Sequence, residues 1–214
     1  MPAFLWAFLK ATKMKQQFTV LFCTGLSGSG KSYFIKNILP HGMFYNLRSA
    51  TTRPMRDGEQ DGQEYFFRDE EYFENGNFAT KLFVNEQFWK PGEPKWLYGV
   101  PEFEITNNWH RNFTYDVIQP RYIRQMMDWF KDHDAARAYK FRIAWFVPTT
   151  NNFDAVAKRR NMPRDLDVRR TNTCTAEDFK AVGLHIDHIV VSNPQQLAMD
   201  DRLRTFLDLT ERNR

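Results

Sequence analysis

Cysteine is scarce in this chain. Its 214 residues hold two, Cys23 and Cys174, which excludes a disulfide-stapled scaffold and points to a reducing, cytoplasmic setting. Neither sits in a metal-type neighbour pattern, so neither reads as a ligand. Membrane-length apolar runs are missing too. The stretch PAFLWAFL at residues 2–9 is too short to span a bilayer. Lys10 and Lys13 follow it, the reverse of a secretory signal. It reads as a short helix packed on the core, with a membrane-surface or partner-binding helix as the alternative and Met14 as a second possible start. Charge of one sign is not in large excess. A net charge of +4 and a pI near 9.0 suit an anionic substrate as well as nucleic acid. Repeats and low-complexity segments are also lacking. What remains is an ordinary globular composition, 42% hydrophobic and 26% charged. Twenty Phe and six Trp supply a core for one large domain, or for a core with inserted lobes.

The most informative stretch is TVLFCTGLSGSGKS at residues 19–32. An apolar, β-branched run breaks into glycine and serine, and a helical pattern follows. Gly25, Ser27, Gly28, Ser29, Gly30, Lys31 and Ser32 fit the phosphate-binding loop, a glycine, four residues and then Gly-Lys-Ser. Glycines let main-chain N–H groups turn inward around phosphate oxygens, and the next helix offers its positive end. Lys31 is expected at the β- and γ-phosphates of ATP, and Ser32 on Mg²⁺.

A second polar stretch, residues 48–67, reads by propensity as a loop. It gathers Ser49, Thr51, Thr52, Arg53, Arg56, Glu59 and Tyr65. Arginine forks beside hydroxyls are what a phosphate clamp needs, although a solvated loop has the same composition. Around these stretches the pattern predicts strands at 17–24, 43–47, 112–118, 140–147 and 187–193. Helices are predicted at 31–39, 120–133 and 194–209. Residues 150–173 are rich in arginine, and Arg160 and Arg164 share a helical face. That stretch suits a lid over a transferring phosphoryl group, a solvated basic helix, or an RNA-binding one. RNA binding is disfavoured, since no aromatic platform is interleaved with the basic residues.

The order Ser49, Thr51, Thr52, Arg53, Arg56, Gly58, Glu59, Gly62, Tyr65, Phe67 resembles the signature of guanylate kinases. The resemblance extends more faintly over residues 17–212, through Asp69 to Phe73, Tyr98-Gly99, Asp116 and the strand starting at Asp187. It implies a P-loop three-layer α/β/α fold with a central parallel sheet, an inserted acceptor-binding lobe and a helical lid. The core would comprise residues 17–48, 108–149 and 174–214, the lobe 49–107 and the lid 150–173, after an N-terminal extension at 1–16. It further implies that Ser49, Arg53, Arg56, Glu59, Tyr65 and Tyr98 serve the acceptor phosphate, and that Asp116 lies near Mg²⁺ and the base. Lys31, Arg53, Arg160, Arg164 and Arg170 would act on the transferring group, with Arg169 as an alternative to Arg170.

The sequence departs from the family pattern at the base. The three guanine-reading positions fall on Thr80 (or Glu86, within an apparent insertion at 83–97), Val100 and Ile118. The phosphate grip is kept while the hydrogen-bonding code for guanine is not. The expected activity is therefore ATP-dependent phosphoryl transfer to a nucleoside monophosphate, with GMP or dGMP as the default acceptor. Alternatives are a non-guanine nucleotide, a ribose bisphosphate, or a non-catalytic binding module. The loop also resembles that of adenylylsulfate kinases, but nothing downstream does. The expected partners are nucleotides and not nucleic acid, in a monomer or homodimer.

Overall fold

The computed structural model describes residues 18–25, 29–39, 42–79, 83–84, 96–117, 119–133, 139–148 and 174–192. Two sheets organise them. The larger has five parallel strands: β1 (Phe18–Gly25), β2 (Phe44–Asn46), β7 (Asn112–Val117), β8 (Tyr139–Pro148) and β9 (His188–Ser192), in the order β2-β7-β1-β8-β9. The smaller has four short strands: β3 (Ala50–Thr51), β4 (Phe66–Phe67), β5 (Phe83–Val84) and β6 (Leu97–Gly99), in the order β4-β3-β6-β5. Here β3 runs parallel to β4 and antiparallel to β6, and β5 is antiparallel to β6.

The central strand explains the layering. In β1 alternate side chains enter different cores, as a two-residue period requires. Val20 and Phe22 face one cluster with Phe113, Ile123, Met126, Phe130 and Phe179, while Leu21 and Cys23 face another with Phe34, Leu39 and Phe146. Parallel strands buried on both faces read as a continuous apolar run, which is why this strand stood out in the sequence. The first cluster is closed by α4 (Pro120–Asp132) and α5 (Ala176–Ala181), the second by α1 (Lys31–Tyr33 continued by Phe34–Ile38). The α4 helix opens with Pro120 in its first turn and buries Ile123, Met126 and Phe130 along one stripe. Truncating Phe130 to alanine is worth about 3–5 kcal/mol by the usual cost of such cavities. Burial also sets the two cysteines. Cys23 is wholly buried and its thiol is pushed up, and both remain free.

Several boundaries differ from the sequence reading. The first helix is α-helical only over Lys31–Tyr33 and continues as a π-helix over Phe34–Ile38; the two together are called α1. The stretch 48–67 is not all loop, because Ala50–Thr51 and Phe66–Phe67 pair as strands. Leu97–Gly99 is a strand, and Phe83–Val84 pairs with it. Asp69 caps α2 (Glu70–Asn75) by accepting from the Tyr72 N–H at 2.9 Å. Two short helices went unforeseen, α3 (Glu102–Thr106) and α5, the latter started by a Thr175–Asp178 capping box. The expected N-terminal helix, the lid at 150–173 and the helix at 194–209 lie outside the described residues.

Candidate active site

In open parallel sheets, ligands gather beyond the carboxyl ends of the central strands. Here β1 ends in Gly25 with φ 135°, and a Cβ there would stand 2.3 Å from the Phe146 carbonyl oxygen. Only glycine fits. Gly30, at φ 94°, turns the chain into α1. Lys31 is 5% exposed. Its Nζ donates to the Gly25 carbonyl at 2.9 Å and stands 3.7 Å from Asp116 Oδ1. Ser32 Oγ donates to Asp116 Oδ2 at 2.9 Å. Ser29 is fully buried, and its hydroxyl has no hydrogen-bond partner among the described residues. An unsatisfied buried hydroxyl costs free energy, and one beside a lysine is suited to an anion. Ser27 and Gly28 lie outside the described residues.

The second constellation is made of side chains. Arg53 is 4% exposed. One terminal nitrogen donates to both Glu59 oxygens at 2.9 Å, and the other to the Pro54 carbonyl at 2.6 Å. Its guanidinium lies 5.3 Å from the Tyr65 ring centre and 5.5 Å from that of Phe67. Glu59 also accepts from the Arg56 N–H at 2.9 Å. Burial, the largest single influence on Glu59, raises its pKa. The hydrogen bonds from Arg56 and Arg53 and the two arginine charges outweigh burial and hold the carboxyl below its usual value. Tyr98 packs edge-on against Tyr65 with ring centres 6.0 Å apart. Val100 is completely buried, and its carbonyl accepts from the Ala79 N–H at 3.0 Å. Thr80, Glu86 and Ile118 lie outside the described residues, as do Arg160, Arg164, Arg169 and Arg170.

Strand β7 brings the two constellations together. Asp116 holds Ser32 and faces Lys31, while its neighbour Tyr115 is hydrogen-bonded through its hydroxyl to Ser49 Oγ at 3.2 Å. The Tyr65 phenol is pushed up to about 12, first by burial and then by Tyr98 and the negative charge of Asp116, against the pull of Arg53. Tyr65 belongs to the arginine clamp and Asp116 faces the lysine loop, so the charge of one constellation is felt in the other. Burial likewise raises the Tyr115 phenol, which stays a neutral hydrogen-bonding group.

Ser32 and Asp116 are hard oxygen donors 2.9 Å apart. That pair fits Mg²⁺, which takes one or two protein oxygens and completes its shell with phosphate and water. Among the described residues, no group of three or more His, Cys, Asp or Glu could hold a metal by itself. No helix there is long and apolar enough to cross a membrane.

Sequence reasoning missed Tyr115, Arg48 and Glu104. Tyr115 reads as one more apolar strand residue. Glu104 is 1% exposed. A carboxylate amid the apolar positions of a short helix was the available signal, but its partner is 56 residues away.

No family model matches the chain. The guanylate kinase of Aromatoleum aromaticum is 24% identical over 190 residues, 86% of this chain and 84% of that protein. That of Prochlorococcus marinus is 45% identical over 102 residues, 47% of this chain and 53% of that protein. That of Mycoplasma genitalium is 42% identical over 66 residues. The chain thus spans about a quarter of the Mycoplasma protein and about half of the Prochlorococcus one. A solved structure, the guanylate kinase from Anaplasma phagocytophilum, matches with a TM-score of 0.47 at 18% identity, over 91% of this chain and 86% of that one.

Proposed function

We propose that this chain, which belongs to the guanylate kinase family, transfers the terminal phosphoryl group of ATP to the phosphate of a nucleoside monophosphate. GMP or dGMP is the default acceptor. The observation that carries this reading is the double duty of β7: Asp116 serves the lysine loop and Tyr115 reaches Ser49 of the arginine clamp. On this reading both anion-binding groups serve one cleft at the carboxyl end of β7.

The chemistry asks little of the protein beyond positioning and charge. A phosphate oxygen is already anionic near neutral pH, so no general base is needed. Lys31 exchanges the Gly25 carbonyl and Asp116 for donor phosphate oxygens, and Ser29 and Gly30 line the same cradle. Ser32 and Asp116 would hold Mg²⁺, which when bound would supply charge neutralisation at the phosphates. Arg53, Arg56, Ser49, Tyr65 and Tyr98 receive the acceptor phosphate. Glu59 orients Arg53 through a paired contact, because a carboxylate facing a phosphate directly would repel it. Arg160, Arg164 and Arg170 are assigned to the lid that closes over the transferring group and excludes water.

A non-guanine acceptor is the second reading. Val100, buried and apolar, stands at the position where the family pattern has a hydroxyl, so it offers no side-chain hydrogen bond to a base. ATP consumption measured against GMP, dGMP, AMP, dTMP, dCMP, UMP and ribose 1,5-bisphosphate tests both readings. Turnover with GMP or dGMP supports the first, and turnover with another nucleotide the second. Turnover with ribose bisphosphate alone, or with none of the panel, overturns both.

A further inference from the structure

The chain crosses between the two sheets twice. It leaves β2 of the large sheet at Asn46 and enters β3 of the small one at Ala50, and it returns from β6 at Gly99 to β7 at Asn112. Arg48 lies in the first crossing and Glu104, on α3, in the second. They are bonded to each other. Arg48 Nη2 donates to Glu104 Oε1 at 2.8 Å, Nε to Oε2 at 3.2 Å and the Arg48 N–H to Oε2 at 3.0 Å. Tyr45, from β2, adds its hydroxyl at 3.2 Å from Oε1, and accepts from Arg48 Nη2 at 2.6 Å. The remaining arm of Arg48, Nη1, donates to the Gly62 carbonyl. Its guanidinium lies 4.9 Å from the Phe66 ring centre.

We infer that Arg48 and Glu104 are a positioning pair, which ties the two crossings together and fixes the 59–67 segment that carries the acceptor clamp. The inference rests on the acceptor site proposed above. Arg48 precedes Ser49 directly. Gly62 sits between Glu59, which grips Arg53, and Tyr65, on which Arg53 stacks. One guanidinium therefore reaches both ends of the clamp without touching the cleft groups itself. Glu104 is buried while Arg48 is partly exposed. Such an ion pair is a poor source of net stability, since desolvation of the carboxylate offsets the attraction, whereas its fixed geometry sets the relative placement of what it joins.

The test separates placement from stability. In the double variant Arg48→Met/Glu104→Leu an apolar pair of similar volume replaces the ions. The expected result is a melting temperature close to that of the parent protein together with an acceptor KM raised at least ~10-fold, the loss that one charge-assisted hydrogen bond carries. The ATP KM should stay within about twofold, because no contact of Arg48 among the described residues reaches the lysine loop. Amide hydrogen exchange should quicken over residues 59–67 and not over β1 or β7. An unchanged acceptor KM with unchanged exchange, or an equal rise in both KM values, overturns the inference. Should the double variant fail to fold, Arg48→Lys serves. It keeps a charge beside Glu104 but lacks the fork that also reaches Gly62, so the same acceptor-selective defect is expected and its absence overturns the pairing. If the parent protein turns over no acceptor, the function reading fails, while the exchange pattern still decides the role of Arg48.

Discussion

The two anion-binding regions proposed for this protein are built from different materials. The donor side is main chain: a strand that must end in Gly25 because a carbonyl occupies the space of a side chain, a left-handed Gly30, and one lysine. The acceptor side is almost wholly side chain. Arg53 is held by Glu59 and stacked on Tyr65 and Phe67, and nearby in the chain Ser49 is hydrogen-bonded to Tyr115. A main-chain cradle tolerates little substitution at a few positions and much elsewhere. A side-chain cradle spreads the same task over several residues of the 49–67 stretch, β6 and β7, any of which can be altered by degrees. The donor side should therefore break sharply and the acceptor side gradually.

Lys31→Ala should have the largest effect, a fall in kcat of about 10³-fold or more, by analogy with the loss of one preorganised charge-stabilising donor. Circular dichroism should be unchanged, and nearly normal turnover would contradict the donor assignment. Arg53→Ala should cost about 10²-fold in kcat/KM for the acceptor, because two charged hydrogen bonds vanish and Glu59 is left with the Arg56 N–H. The ATP KM is the internal control and should move little. Gly25→Ala probes the main-chain side directly. A methyl group 2.3 Å from the Phe146 oxygen, at φ 135°, should lower stability by about 2 kcal/mol or more, read as a drop in thermal midpoint.

Smaller effects sharpen the comparison. Val100→Thr restores a hydroxyl at nearly constant volume and should raise kcat/KM for GMP relative to the other monophosphates by about tenfold. No change in the ratio would remove Val100 from base recognition. The smallest effect concerns acid. The folded-state pKa of Glu59 is depressed, so its contribution to stability is present above the unfolded value, about 4.3, and is lost as pH falls through the lower folded value. Melting curves of the parent protein and Glu59→Gln should therefore differ at pH 7 and converge below about pH 4.

The same contrast explains what could be read in advance. The lysine loop and the β1 run were legible because both depend on residues adjacent in the chain. The apolar strand is buried on both faces, and glycines at fixed spacing are needed wherever the main chain must bend around an anion. The 48–67 segment was legible only as a string of residues. Propensity called it loop, and its two-residue strands β3 and β4 exist because they find partners in one another and in β6, not because Ala50 or Phe66 prefers a strand. The α3 and α5 helices are each one and a half turns long, too short to leave a periodic trace.

By itself, the order of residues determined the anion-binding loop, the central apolar strand, the Pro120 helix start and the membership of the arginine clamp, since each is a local consequence of side-chain type and spacing. Only the tertiary structure decided that Asp116 would meet Ser32 across 84 residues, that Tyr115 would meet Ser49 across 66, and that Arg48 would meet Glu104 across 56. Hydrogen bonds are short-ranged and directional. Which distant groups come within that range depends on how strands line up in a sheet, and no local pattern encodes it.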